Sequence, residues 1–221
     1  YRGFDFSSFS VAEARTRAAV HNVHACPVVS FHVRDVTRER LPVATSSVQV
    51  VLCMFAYHYF CGTRNGARAV LRDMSRVLVA GGHLLMTFPS AAVVARILDG
   101  GAACPPLFTL SKWQAASQAA SQAGDKPAAP PTHNGRPFST PYLFSMAGLV
   151  DRLVEWTVDF QFLEQDARAC GLVCHTKANL ATWASKAAAK YSDVDPAGAF
   201  APETQFYTAV VFVKTTESIK M

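Results

Sequence analysis

Val48 to Phe55 is a nearly unbroken run of β-branched and other apolar residues, interrupted only by Gln49. Such a run, without polar alternation, predicts a strand buried on both faces, and strands of that kind belong to parallel sheets covered by helices. The neighbouring segments agree. From Asn65 to Val79, Ala67, Val70, Leu71, Met74, Val77 and Leu78 recur at helical spacing, which predicts an amphipathic helix. Gly81-Gly82 is expected to stop it. Upstream, Tyr1 to Phe6 reads as a short strand, and Ser10 and Glu13 have the spacing of a capping box opening a helix to about Val20. Val28 to Val33 alternates as a strand leading to Asp35. His83 to Phe88 is a further strand, with a helix from Pro89 to about Leu98. Strands alternating with helices imply an open α/β sheet, mostly parallel, with helices on both faces. Ligands of such sheets sit beyond the carboxyl ends of the strands. Asp5, Asp35, the stretch Phe55 to Phe60 and Pro89 fall at those ends.

Residues 114–137 interrupt the pattern. Ala115-Ala116-Ser117-Gln118 repeats as Ala119-Ala120-Ser121-Gln122, and a Pro- and Ala-rich stretch follows. This is a low-complexity insertion, with a helical repeat as the alternative. Order resumes at Tyr142 to Ser145. A strand is predicted over Val154–Phe160, a helix over Gln161–Cys170 stopped by Gly171, a short strand over Leu172–His175, an Ala-rich helix over Asn179–Lys190 and a last strand over Phe206–Val213.

Composition excludes several classes. Of 221 residues, 50% are hydrophobic and 17% charged, which is too apolar for a mainly disordered chain. No apolar run approaches the roughly 18 residues of a membrane span, so no membrane partner is expected. The start lacks a signal-peptide pattern. It is Tyr1 rather than Met, which reads as a partial chain. The net charge of +5 mildly favours an anionic partner, but no basic block marks a nucleic-acid tail. Cys26, Cys53, Cys61, Cys104, Cys170 and Cys174 contain no Cys-x-x-Cys pair and read as free thiols in a reducing compartment. His21, His24 and Cys26 lack a fourth ligand at matching spacing, so they read as a polar loop and no metal is expected.

Two acidic residues ending successive strands suit a nucleoside: one carboxylate can accept both ribose hydroxyls, another an adenine amino group. Capping of a turn is the plainer role for each. Phe55-Ala56-Tyr57-His58-Tyr59-Phe60 is dense in aromatics where a loop is expected to open. His58 and Tyr59 there suit stacking on a base, whereas Phe55, Tyr57 and Phe60 are in part core.

Several stretches, taken in order, resemble the mRNA cap guanine-N7 methyltransferases. These are Gly3-Phe4-Asp5-Phe6-Ser7, Ala14-Arg15-Thr16-Arg17, Phe55 to Tyr59, Gly81 to Ser90, Tyr142 to Ser145, Val154 to Phe160 and Phe206 to Phe212. The resemblance spans nearly the whole chain outside the insertion. It implies a Rossmann-like class I methyltransferase fold, a single domain over 1–221 with an antiparallel C-terminal strand, and S-adenosylmethionine as cofactor. On that resemblance Asp5 binds the cofactor ribose, Asp35 the adenine, and Met54, Phe55 and Tyr59 line the methionine end. His58, Tyr59, Pro89, Tyr142, Glu155 and Tyr207 form the guanine pocket, and Arg17 reaches the cap phosphates or ribose. Glu155 can accept from guanine N1–H and the 2-amino group, a pattern adenine does not offer. Read without the resemblance, Glu155 is a charge on a strand face and Tyr207 a packed core residue.

Guanine N7 carries a free lone pair and the sulfonium is already a good leaving group. In-line attack therefore needs no general base, and the site residues bind and orient rather than act as catalytic acids, bases or nucleophiles. The resemblance further implies 5′-capped RNA as partner, fused or associated capping activities, and a nuclear location. Two departures stand out. The Gly-rich loop of the family belongs to a strand expected ahead of Tyr1, so the chain reads as N-terminally truncated. Met54 stands where the family usually has Gln. Both leave open a non-catalytic methyltransferase-like subunit or RNA-binding module of a capping complex; a class I methyltransferase acting on a small molecule, with the cap-specific residues coincidental, is a separate alternative.

Overall fold

The computed structural model describes residues 1–20, 29–114, 132–133, 136–190 and 202–215. The chain divides into two compact units, Tyr1–Val43 and Ala44–Met221.

The first unit is one strand–helix–strand crossover: β1 (Arg2–Asp5), α1 (Ser8–Val20) and β2 (Ser30–Val33). β1 and β2 pair in parallel, with Gly3 opposite Phe31 and Asp5 opposite Val33, as a helical crossover requires. Glycine at position 3 leaves room for the Phe31 ring, because a Cβ there would lie 2.6 Å from it and displace it. The helix starts earlier than the Ser10–Glu13 box predicts. Ser7 Oγ accepts the Ser10 N–H at 3.2 Å, so Ser7 does the capping and Ser10 lies within the first turn. Arg15 donates to the Phe31 carbonyl at 2.6 Å, tying α1 back onto β2. His21, His24 and Cys26 lie outside the described residues.

The second unit runs β3 (Val48–Met54), α2 (Tyr57–Phe60), α3 (Arg64–Val77), β4 (Leu78–Pro89), α4 (Ala91–Leu98) and β5 (Phe108–Lys112). The pair β6 (Thr132–His133) and β7 (Arg136–Pro137) follows; most of the 114–137 insertion lies outside the described residues. Then come β8 (Pro141–Met146), β9 (Val150–Trp156), α5 (Phe160–Ala169), β10 (Leu172–Asn179), α6 (Leu180–Lys190), a 3₁₀ turn (Pro202–Phe206) and β11 (Tyr207–Lys214).

The main sheet has the order β10-β11-β4-β3. Only β3 and β4 are parallel; β11 is antiparallel to both β4 and β10. The expectation of a mostly parallel sheet is therefore corrected to a mixed one. The antiparallel C-terminal strand inserts between β4 and β10 and reverses both pairings it makes. A second sheet, β5-β8-β9, is antiparallel throughout. β3 also departs from expectation. It is the edge of its sheet, and Val50, Leu52 and Met54 on one of its faces are about half exposed, so it is not buried on both faces. Gly81-Gly82 does not stop α3 either. Leu78 is already extended, and the register steps from Val48–Leu78 to Val50–His83, so the glycines form an irregularity inside β4. Gly81 takes φ +74°, which glycine adopts without strain.

The α3 pattern is legible in the packing: Ala67, Val70, Leu71, Met74 and Val77 are all buried. Thr63 caps its start by accepting from Gly66 N–H. Arg64 forks onto the buried Asp166 of α5, with Nε and an Nη at 3.1 and 2.7 Å from its two oxygens. Asp159 caps α5 by accepting from the Gln161 and Phe162 amides. The preceding strand therefore ends at Trp156 rather than at Phe160. A second apolar cluster joins Val94, Phe108, Tyr142, Phe144 and Phe206, with Tyr207 packed against it. It holds β8 near the start of β11.

Candidate functional site

Strand β9 carries Glu155 opposite Tyr142 of β8, a direct cross-strand pair. The Tyr142 hydroxyl donates to Glu155 Oε2 at 2.7 Å. From α2, the Tyr59 hydroxyl donates to Glu155 Oε1 at 3.0 Å. His58 Nε2 lies 3.4 Å from the same oxygen, within ion-pair range but without hydrogen-bond alignment. Glu155 and His58 are each only 3% exposed and Tyr142 0%, while Tyr59 is 40% exposed. Burial pushes the Glu155 carboxyl up, but the His58 imidazole and the Tyr142 and Tyr59 hydroxyls together outweigh it and leave the carboxyl below its ordinary value. The group is therefore a buried carboxylate held ionised. Both ring nitrogens of His58 are buried and find no hydrogen-bond partner among the described residues, a costly arrangement unless a ligand completes it.

The aromatic wall is built by a strained turn. Phe55 follows β3 with φ +52°, a region that bulky residues rarely enter. Its N–H is held by both the carbonyl and the Oγ1 of Thr87, each at 3.0 Å. In that pose the Phe55 ring stands edge-on to Tyr207, with centroids 4.7 Å apart. Tyr207 is itself paired with Pro89 across β11 and β4. His58 and Tyr59 rings lie 4.1 Å apart.

The structure thus brings His58, Tyr59, Tyr142 and Glu155 into one cluster, and Phe55 to Tyr207 and Pro89. His58 and Tyr59 are on a short helix, not in the loop expected. Glu155 is buried rather than a solvated strand-face charge. Met54 is exposed at the end of β3. Thr87 escaped sequence reading, because nothing in a strand sequence marks a threonine that will hold a neighbour's backbone.

Three expected residues belong to the first unit. Asp5 stands exposed at the carboxyl end of β1, one oxygen accepting the Ser7 N–H at 2.8 Å. That fixes an acceptor-only group where a ribose diol could donate to it, so it fits the cofactor. Asp35 is more committed. Its Oδ1 accepts from the Thr37 hydroxyl and from the Thr37 amide at 2.9 Å, and Arg38 lies 3.3 Å from Oδ2. The Thr37 hydroxyl, with its amide and Arg38, outweighs burial and holds the carboxyl below its ordinary range. Arg17 pairs with Glu13 one helical turn away, at 2.8 Å, with both side chains exposed. Among the described residues no group of three or more His, Cys, Asp or Glu could hold a metal, and Cys53, Cys61, Cys104, Cys170 and Cys174 are free thiols.

The family model for the mRNA (guanine-N(7))-methyltransferase domain matches residues 1–194. The chain belongs to that family. It is accordingly an S-adenosylmethionine-dependent methyltransferase domain. Solved structures share the fold of this methyltransferase domain at low identity. The PH0226 protein of Pyrococcus horikoshii is 13% identical, covers 97% of this chain and 71% of its own, and has a TM-score of 0.55. An S-adenosylmethionine-dependent methyltransferase of Clostridium acetobutylicum is 10% identical, with 97% and 74% covered and a TM-score of 0.55. One from Mesorhizobium loti is 13% identical, with 96% and 79% covered and a TM-score of 0.52. No curated protein sequence matches the domain.

Proposed function

We propose that the domain transfers a methyl group from S-adenosylmethionine to N7 of the guanine in the 5′ GpppN cap of RNA. The observation that carries this reading is the buried, ionised Glu155 beside a His58 whose ring nitrogens find no hydrogen-bond partner among the described residues. Guanine presents two donors and one acceptor in a row: the 2-amino group, N1–H and O6. Glu155 suits the two donors and an N–H of His58 suits O6. Adenine offers an acceptor at N1 and no 2-amino group, so it would meet an unpaired buried carboxylate, a costly mismatch.

Bound S-adenosylmethionine supplies an electrophilic sulfonium methyl. Asp5 would hold its ribose and Asp35 its adenine, with Met54, Phe55 and Tyr59 toward the methionine end. Arg17 would give up Glu13 for a cap phosphate or ribose, an exchange that an exposed ion pair of small net value permits. The guanine becomes cationic as N7 is methylated. The Glu155 carboxylate and the aromatic faces of Phe55 and Tyr207 favour that charge where it develops. No residue of the chain takes a proton from N7, which has none. On this reading the partner is 5′-capped RNA, and the domain is fused to or associated with other capping activities in the nucleus.

The test incubates the native protein with GpppG-capped RNA and methyl-labelled S-adenosylmethionine, followed by identification of the labelled position. Label at guanine N7 that is lost in Glu155→Ala is expected. Transfer to another position or to small molecules only would sink the reading. Retained binding of capped RNA with no transfer would indicate a non-catalytic subunit instead, with Met54→Gln the first variant to make.

A further inference from the structure

We infer that Tyr142 is a positioning residue for guanine recognition: it anchors Glu155 through Oε2, leaving Oε1 as the oxygen whose partner exchanges for the ligand. The inference rests on the reading of Glu155 as the guanine acceptor. The two oxygens are held in different ways. Oε2 receives the Tyr142 hydroxyl at 2.7 Å, in the short range of a charge-assisted bond. Donor and acceptor sit on directly opposed residues, with Pro141–Trp156 and Leu143–Val154 pairing on either side. The Tyr142 ring is packed with Val94, Phe108, Phe144 and Phe206 and has no exposed surface. Such a side chain cannot swing aside to admit a base or stack on one from the solvent side.

Oε1 receives the Tyr59 hydroxyl at a longer 3.0 Å, from a four-residue helix and a side chain open to solvent. Tyr59 can therefore yield to an incoming N–H. An ionised carboxylate offers about four acceptor positions. Tyr142 occupies one of them permanently, which fixes the plane in which the remaining positions meet N1–H and the 2-amino group. Without the hydroxyl the carboxylate would turn about its terminal torsion, which has no sharp minima, and would lose a donor that favours its charged form. The groups facing Glu155 are Tyr142 from β8 and His58 and Tyr59 from α2, with Tyr207 of β11 acting on Tyr142.

The test compares the domain with its Tyr142→Phe variant, which keeps the packed ring. Binding of GpppA and of IpppA, whose base lacks the 2-amino group, is measured by calorimetry from neutral to acidic pH. Tyr142→Phe is expected to bind GpppA about tenfold more weakly, to prefer guanine over hypoxanthine less, and to lose binding at a higher pH. Equal weakening toward both ligands with an unchanged pH profile would mean a packing role only and would overturn the inference. So would unchanged GpppA binding. In the free proteins, carbon NMR of the Glu155 carboxyl should show a higher titration midpoint in Tyr142→Phe; an unchanged midpoint overturns the anchor. If the wild-type domain binds neither dinucleotide, the guanine reading fails, and this ligand-free titration still decides the anchor separately. A test without any variant is the Tyr142 hydroxyl proton resonance. Its persistence when GpppA binds supports the anchor, and its loss refutes it.

Discussion

The Tyr142 hydroxyl and Glu155 Oε2 meet at 2.7 Å across directly opposed positions of β8 and β9. This bond, the Tyr59 bond and the neighbouring His58 keep a buried carboxyl ionised. Folding stability should therefore depend on pH through this residue. The folded-state value of Glu155 is depressed below its ordinary 4.5. Its contribution is complete above that ordinary value and is lost as pH falls through the lower, folded-state value. Urea midpoints between about pH 6 and about pH 3 should fall more steeply for the native chain than for Glu155→Gln, which has nothing to titrate at that position. Parallel slopes would show that the carboxyl is not held ionised.

Thr87 fastens Phe55 in its left-handed pose through a carbonyl and a hydroxyl. Thr87→Val keeps the shape and the carbonyl but removes the hydroxyl acceptor. A loss of about 1 kcal/mol is expected, read from denaturant midpoints at an unchanged slope. Methyl transfer should fall further than that stability loss explains, because the ring that Thr87 holds faces Tyr207.

Asp166 is buried and accepts the fork of Arg64, joining α3 to α5. Removing it leaves the half-buried Arg64 guanidinium with Gln165 but without its carboxylate. Asp166→Ala should cost about 2 kcal/mol, in the range of a lost hydrogen bond to a charged group. A change under about 1 kcal/mol in chemical denaturation would show that water replaces the carboxylate readily.

Asp5 is exposed and its carboxylate accepts one bond in a local turn, so Asp5→Ala should fold. Its affinity for S-adenosylmethionine, measured by calorimetry, should drop by about tenfold or more, as expected for loss of a charged acceptor. Unchanged affinity would remove Asp5 from the cofactor site.

Much of this architecture was legible in the sequence because periodicity reports burial. The α3 stripe and the run from Val48 marked a helix and a strand that the structure contains. Three things were not legible. Sheet direction depends on where a strand inserts, and nothing in Tyr207–Lys214 shows that it will lie between β4 and β10. The exposure of Val50 and Leu52 depends on what covers β3, which strand residues do not encode. Gly81-Gly82 carries the same letters whether it ends a helix or bends a strand. In the site, His58 and Tyr59 could be picked out as base-stacking candidates from their residue types, whereas the role of Glu155 could be read only through resemblance. Their convergence required β8, β9 and α2 to be placed together, and the division of Glu155 between two tyrosines is a matter of geometry alone.

The backbone of Phe55 has one more implication. A left-handed torsion costs a bulky L-residue roughly 1–2 kcal/mol that glycine does not incur, so Phe55→Gly would relieve the strain at that torsion. A directed-evolution campaign that rewarded thermal tolerance alone would thus be drawn to this position, and would strip out the aromatic edge that meets Tyr207. Robustness and recognition pull against each other at this single torsion angle.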